Sequence, residues 1–166
     1  SIACYDVGIL LSMLVQNRCK QVVSGMFADS WKVINMPTKS ILGNTMEMRR
    51  RVGQVGYSTN GEKPLEWLIE KRAVMDKVMI FTDCQFWNYD YDNYAQKFSK
   101  TWKRYKQIAP DAKLYLFDLV GYGQTPLSIQ QNDVYCIAGW SDRIFDILDA
   151  IDHGKDAVAV INETAL

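Results

Sequence analysis

Two oxygen-bearing side chains stand where an α/β sheet would bind a ligand. Asp83 ends the apolar run Val78-Met79-Ile80-Phe81-Thr82, and Thr59 lies in the polar loop Gly56-Tyr57-Ser58-Thr59-Asn60-Gly61 ahead of a helix. In open α/β sheets, ligands sit beyond the carboxyl ends of the strands, where the strand order reverses. A carboxylate and a hydroxyl are hard donors, and together with several waters they suit Mg²⁺. An Asp after an apolar strand also serves as a helix cap or turn former. The pair alone leaves both readings open.

Other constellations fall short of chemistry. The stretch Gly56 to Gly61 followed by Glu62 and Lys63 approaches the spacing of a phosphate-binding loop. Glu62 takes the lysine position there, and a carboxylate in a phosphate cradle repels its ligand. No nucleotide cofactor is expected. The single histidine, His153, sits beside Gly154 near the end of a helix, where an imidazolium complements the helix dipole. No nucleophile-elbow serine, His–Cys pair or specific carboxylate pair occurs, so no enzyme activity is expected. Cys4, Cys19, Cys84 and Cys136 are scattered among apolar neighbours, as buried reduced thiols are. With no signal peptide at Ser1 to Gly8, the expected address is cytoplasmic.

Two surface features remain. Phe86-Trp87-Asn88-Tyr89-Asp90-Tyr91-Asp92-Asn93-Tyr94 interleaves rings with carboxamides and carboxylates, which suits protein recognition or an ordered loop on the sheet rim. Lys97, Lys100, Lys103, Arg104 and Lys106 on one helix, and the run Arg49-Arg50-Arg51, are either phosphate contacts or solvated faces. Trp102 and Tyr105 fall at core spacing and are not expected to stack on bases.

The 166 residues amount to one domain, and 19 basic residues balance 19 acidic ones. No net field therefore draws the chain to nucleic acid. The apolar runs are too short to span a bilayer, so no membrane contact is expected.

The elements that must position Thr59 and Asp83 follow from periodicity. Residues 2–19 are apolar almost all round and predict a buried helix. Gln21 to Phe27 and Trp31 to Met36 predict a hairpin through Ala28-Asp29-Ser30, and Asn44 or Thr45 would cap a helix to about Val52. Pro64 opens a helix to about Arg72, and Lys77 to Thr82 reads as a central parallel strand. A helix at Asn93 to Ile108 follows, then strands at Lys113 to Leu119 and Val134 to Ala138, and a helix at Ser141 to Ile151. Ala157 to Ile161 is a candidate last strand. This alternation predicts an α/β fold: an open, mostly parallel sheet with helices on both faces. Because the chain opens in a helix, the first central strand is expected to be missing, leaving residues 1–166 as one N-terminally incomplete domain.

Gly56-Tyr57-Ser58-Thr59 before a Pro-started helix, Phe81-Thr82-Asp83 at a strand end and the turn Phe27-Ala28-Asp29 together resemble the von Willebrand A-type domain of Ro (TROVE) ribonucleoproteins. The likeness runs from residue 1 to about Asp152. It implies Rossmann-type layering and a metal-ion-dependent adhesion site holding Mg²⁺, with Thr59 and Asp83 as ligands. It also implies RNA binding by the full-length protein, chiefly through a helical-repeat ring outside this chain. The family's D-x-S-x-S segment occurs nowhere in these residues and would precede Ser1. An alternative with the same fold is a metal-dependent protein-interaction module of another A-type family, taking an acidic partner at the metal edge.

Overall fold

The computed structural model describes residues 4–19, 21–36, 40–56, 60–82, 91–120, 133–138 and 157–163. In chain order these form α1 (Cys4–Arg18), β1 (Gln21–Phe27), β2 (Trp31–Val33), α2 (Ile41–Arg50) and α3 (Glu62–Glu70). They continue with β3 (Lys77–Thr82), α4 (Tyr91–Ile108), β4 (Lys113–Asp118), β5 (Val134–Ala138) and β6 (Ala157–Glu163). The strands make one sheet in the order β2-β1-β6-β3-β4-β5. Among the described strands only the β1–β2 pair is antiparallel; the pairs β1–β6, β6–β3, β3–β4 and β4–β5 are parallel. The expected open α/β sheet is therefore present.

Among the described residues no strand precedes α1, as expected, and the position between β1 and β3 is taken by a later segment. The last strand of the chain, β6, inserts between β1 and β3 and pairs in parallel with both. Its sequence, Ala-Val-Ala-Val-Ile-Asn-Glu, is apolar over consecutive positions, as a strand covered on both faces requires.

Alternation along the strands divides the core between two helical layers. Val78, Ile80, Leu114, Leu116, Ala159 and Ile161 face α3 and α4, where they meet Leu65, Leu68, Phe98, Trp102 and Tyr105. The intervening residues Met79, Phe81 and Phe117 turn to the opposite face and meet Val7, Leu11 and Val15 of α1. Phe81 and Phe117 stack there with centroids 4.5 Å apart. Helix α2 packs on α1 around Ile9, Met13, Met26 and Met48. Trp102 and Tyr105 are thus core residues, at 2% and 0% exposure, as their spacing predicts.

Local chemistry explains the helix ends. Ser40, not Asn44 or Thr45, caps α2: its Oγ accepts the Gly43 N–H at 3.0 Å. Asn44 is buried inside the helix, and Thr45 Oγ1 donates back to the Ile41 carbonyl at 2.8 Å. Pro64 sits in the first turn of α3, where a missing N–H costs nothing. Gly25 is required by close approach, because a Cβ there would lie 2.4 Å from the Trp31 ring. Tyr105 clamps the loop before β3: its hydroxyl donates to the Ala73 carbonyl at 2.9 Å and accepts the Met75 N–H at 3.0 Å.

Candidate functional site at the carboxyl edge of the sheet

The parallel strands end together at one edge. Phe27 of β1 lies level with Glu163 of β6, Phe81 of β3 with Asn162, and Thr82 with Asp118 of β4. From this edge the chain leaves β1 through its hairpin on one side and leaves β3 toward α4 and β4 on the other. The end of β6 therefore lies at the point where the connections diverge, the place where open α/β sheets bind ligands.

Thr59 and Asp83 themselves lie outside the described residues, but the backbone leading to each is fixed. On the β1 side, the turn after the strand holds the loop that carries Thr59. Asp29 N–H and Ser30 N–H both donate to the Val55 carbonyl, at 2.9 and 3.2 Å, and Asn60 N–H donates to the Ala28 carbonyl at 3.1 Å. Gly56 reaches the turn with φ +93°, a conformation suited to glycine. Residues on both sides of Thr59 are thereby pinned to the end of β1.

On the β3 side, Thr82 is fully buried, and its carbonyl accepts the Leu119 N–H at 2.9 Å. Asp118, 7% exposed, turns the chain after β4 by accepting the Val120 N–H on Oδ1 at 3.1 Å. The residue preceding Asp83 is therefore locked to the end of β4. Adjacent strands lie about 4.8 Å apart, which puts β1 and β3 about 10 Å apart across β6. The structure brings the anchors of the two predicted donors to opposite sides of one strand end.

Asp118 was missed at the sequence level, although the signal was there. Phe117-Asp118 ends an apolar strand as Thr82-Asp83 does, and the two strands are adjacent in register. Glu62, dismissed above as a phosphate ligand, has a structural role. It is 3% exposed at the start of α3, where an acid complements the helix dipole, and it accepts Lys97 Nζ at 2.5 Å.

The basic residues sort into engaged and exposed groups. Lys97 is tied to Glu62, while Lys106 bonds the Pro110 and Ala112 carbonyls and Asp133. Arg49 pairs with Asp6, and Arg50 and Arg51 with Glu47, all around the last turn of α2. Lys100, Lys103 and Arg104 remain exposed along α4. Of the aromatic stretch 86–94, residues 86–90 lie outside the described residues, as does His153.

The donor chemistry of Thr59 and Asp83, one hydroxyl and one carboxylate, fits a hard divalent cation that keeps several waters. Among the described residues, no three of His, Cys, Asp or Glu come together as a metal cluster. None of the described helices is long and apolar enough to cross a membrane.

No curated protein and no solved structure matches the chain. The family described as the Ro60 vWA domain matches residues 1–151, which include β1 to β5, both predicted donors and all the loop anchors just described. On that match the chain belongs to the von Willebrand A-type domain family of Ro60.

Proposed function

We propose that the chain is the non-catalytic binding domain of a Ro-like, RNA-associated protein, with a divalent-metal site at the carboxyl edge of its sheet. The observation that carries this reading is the seating of two loops at one edge of a Ro-family domain. The Thr59 loop is pinned to the end of β1, and the strand leading to Asp83 is locked to β4. Thr59 and Asp83 would hold Mg²⁺, leaving positions for water and for a carboxylate or phosphate of a partner. The cation supplies a point of positive charge; the chain supplies the two donors and the rigid strands that space them.

RNA is proposed as the partner of the full-length protein. Lys100, Lys103 and Arg104 supply an exposed basic face on α4, since the structure already engages Lys97 and Lys106. An acidic protein partner at the metal edge is the competing reading, and the same experiment addresses it.

In the full-length protein, Asp83→Ala is expected to abolish the rise in melting temperature on adding Mg²⁺ while leaving the far-ultraviolet dichroism unchanged. A ligand that binds only the folded state stabilises it by mass action, so this rise reports the site directly. An unchanged Mg²⁺ response would remove Asp83 from the site. Small noncoding RNA and an acidic peptide, titrated in parallel, separate the two partners.

A further inference from the structure

The two legs of the β1–β2 hairpin differ in length. β1 has seven residues and β2 three, and they pair from Gly25–Val33 to Phe27–Trp31. One further bond, from Ile34 N–H to the Ser24 carbonyl at 2.8 Å, carries the ladder toward the amino end of β1. The same register sets Val22 opposite Met36. Backbone-bonded pairs recur at every second residue of an antiparallel ladder, so the next bond falls to these two. No backbone hydrogen bond joins them. Both instead line a cavity of about 240 Å³ that parts the legs of the hairpin.

The cavity is walled from both faces of the sheet. Gln16 and Ser24, each 4% exposed, close it on the α1 side, and Trp67 closes it on the α3 side. The Ser24 hydroxyl donates to Gln16 Oε1 at 2.5 Å, which satisfies the oxygen of that carboxamide. Gln16 Nε2 carries two N–H groups that meet no acceptor among the described residues, on a buried side chain lining the cavity. A buried donor is costly to leave unmade. Val22 adds a backbone N–H and carbonyl that point, like those of Ser24, away from β6 and into the gap.

The lining selects its occupant by chemistry. Gln16 requires an acceptor, and Val22 requires both a donor and an acceptor. No charged side chain is among the described residues that line the cavity, so an ionised group would be desolvated there without a counter-charge. A peptide unit offers the donor and the acceptor and carries no charge. The volume falls below the ~300 Å³ of drug-sized sites, so it admits a short stretch of chain, on the order of two residues. β2 is the outermost strand, so the rest of a longer segment can run outward past the sheet edge.

We propose that this cavity binds a short, uncharged, extended segment of a partner polypeptide. One of its peptide units continues the ladder at Val22, and a carbonyl accepts from Gln16 Nε2. The site lies at the amino end of β1, whereas the Thr59 loop is pinned to the carboxyl end. This inference stands independently of the metal and RNA reading.

The test is fluorescence anisotropy on the full-length protein with a labelled, end-capped Gly-Ala-Val-Ala-Gly peptide. Saturable binding is expected. The same peptide methylated on its three central backbone nitrogens cannot donate to the Val22 carbonyl, and should bind weaker by on the order of tenfold. Gln16→Leu combined with Ser24→Ala removes the donor and its partner together, so that no buried hydroxyl is stranded. This double variant should weaken binding of the unmethylated peptide while keeping its far-ultraviolet dichroism.

Equal binding of the methylated peptide would overturn the proposal, whether or not the double variant folds. So would a lack of saturable binding, or undiminished binding by the folded double variant. Free N-methylacetamide should displace the peptide only at far higher concentration. Displacement at equal concentration would overturn the assignment to a polypeptide and leave a site for small amides.

Discussion

Gly56→Ala probes the seating of the Thr59 loop on the turn after β1. Gly56 holds φ +93°, and forcing an L-residue into left-handed backbone costs roughly 1–2 kcal/mol. The new methyl would lie 1.7 Å from Asp29 Oδ2, 2.4 Å from its Cγ and 2.8 Å from its Cβ. Rotating the Asp29 side chain clears the first two contacts at a cost of about 1 kcal/mol. The third stays, because Cβ is fixed to a backbone whose N–H is held by the Val55 carbonyl at 2.9 Å. The expected destabilisation is therefore about 2–3 kcal/mol, or about 1 M in the urea midpoint.

Asp29→Gly removes all three clashing atoms. In that background Gly56→Ala should cost only its backbone share, leaving a coupling of about 1 kcal/mol between the two positions. Urea unfolding of the four proteins, followed by tryptophan fluorescence, measures the cycle. A cost below about 0.5 kcal/mol, or the same cost in both backgrounds, would refute the contact and with it the seating of the loop.

Tyr105→Phe removes the acceptor of the Met75 N–H and the donor to the Ala73 carbonyl. Burial pushes the Tyr105 phenol above its ordinary value, so the hydroxyl stays protonated and both bonds persist at neutral pH. Leaving a buried backbone group unpaired costs about 1–3 kcal/mol, which urea unfolding will show; no loss would mean that water replaces the hydroxyl. Asp133 is held below the usual carboxylate range by its hydrogen bond from Lys106 Nζ and by that lysine's charge. Its contribution is therefore full at neutral pH and is lost as pH falls through the lowered folded value. Asp133→Asn should be slightly less stable than wild type at neutral pH, in a salt-sensitive way, and the two curves should draw together as pH falls from about 4 and meet below the lowered Asp133 value. Asn tolerates the φ of 60° at this position, so curves that stay apart in acid would mean the loss is conformational. Charge reversal of the exposed pair Lys100 and Lys103 in the full-length protein should weaken RNA binding. It should also flatten the salt dependence, by about 0.7 per lost phosphate contact. An unchanged slope leaves these lysines as solvated residues.

Local structure was legible in the sequence because it rests on local chemistry. The run Lys77 to Thr82, the helix to Ile108 and the Ala28-Asp29-Ser30 turn all stand where periodicity and turn residues place them. The placement of β6 was not legible. Consecutive apolar residues at 157–161 say that a strand is covered on both faces, but they do not say which neighbours cover it. That choice is made by non-local pairing, and here the last strand takes the middle of the sheet. The cap of α2 was misplaced for a related reason. Ser40, Asn44 and Thr45 all carry capping groups, but Ser40 Oγ takes the Gly43 N–H, which leaves Asn44 buried inside the helix. At the candidate site, residue types located Thr59 and Asp83 in sequence. The backbone contacts that seat their loops on Ala28 and lock β3 to β4 carry no residue-type signature, because carbonyls and amide N–H groups make them.

These contacts give the edge its mechanical character. The loop of Thr59 belongs to β1 and that of Asp83 to β3, and the two strands never pair with each other. Among the described residues β6 lies between them, and Val158 to Asn162 pair with both neighbours. A cation held from both sides would therefore close across the end of a strand that lies beyond the family match. Thermodynamic linkage then runs both ways. Pairing of β6 with both neighbours spaces β1 and β3, and a cation that bridged the two proposed donors would in turn favour that pairing by the same free energy. The carboxyl edge is in this sense shared property of two segments: the matched region carries the proposed donors, and β6 spaces the strands that lead to them.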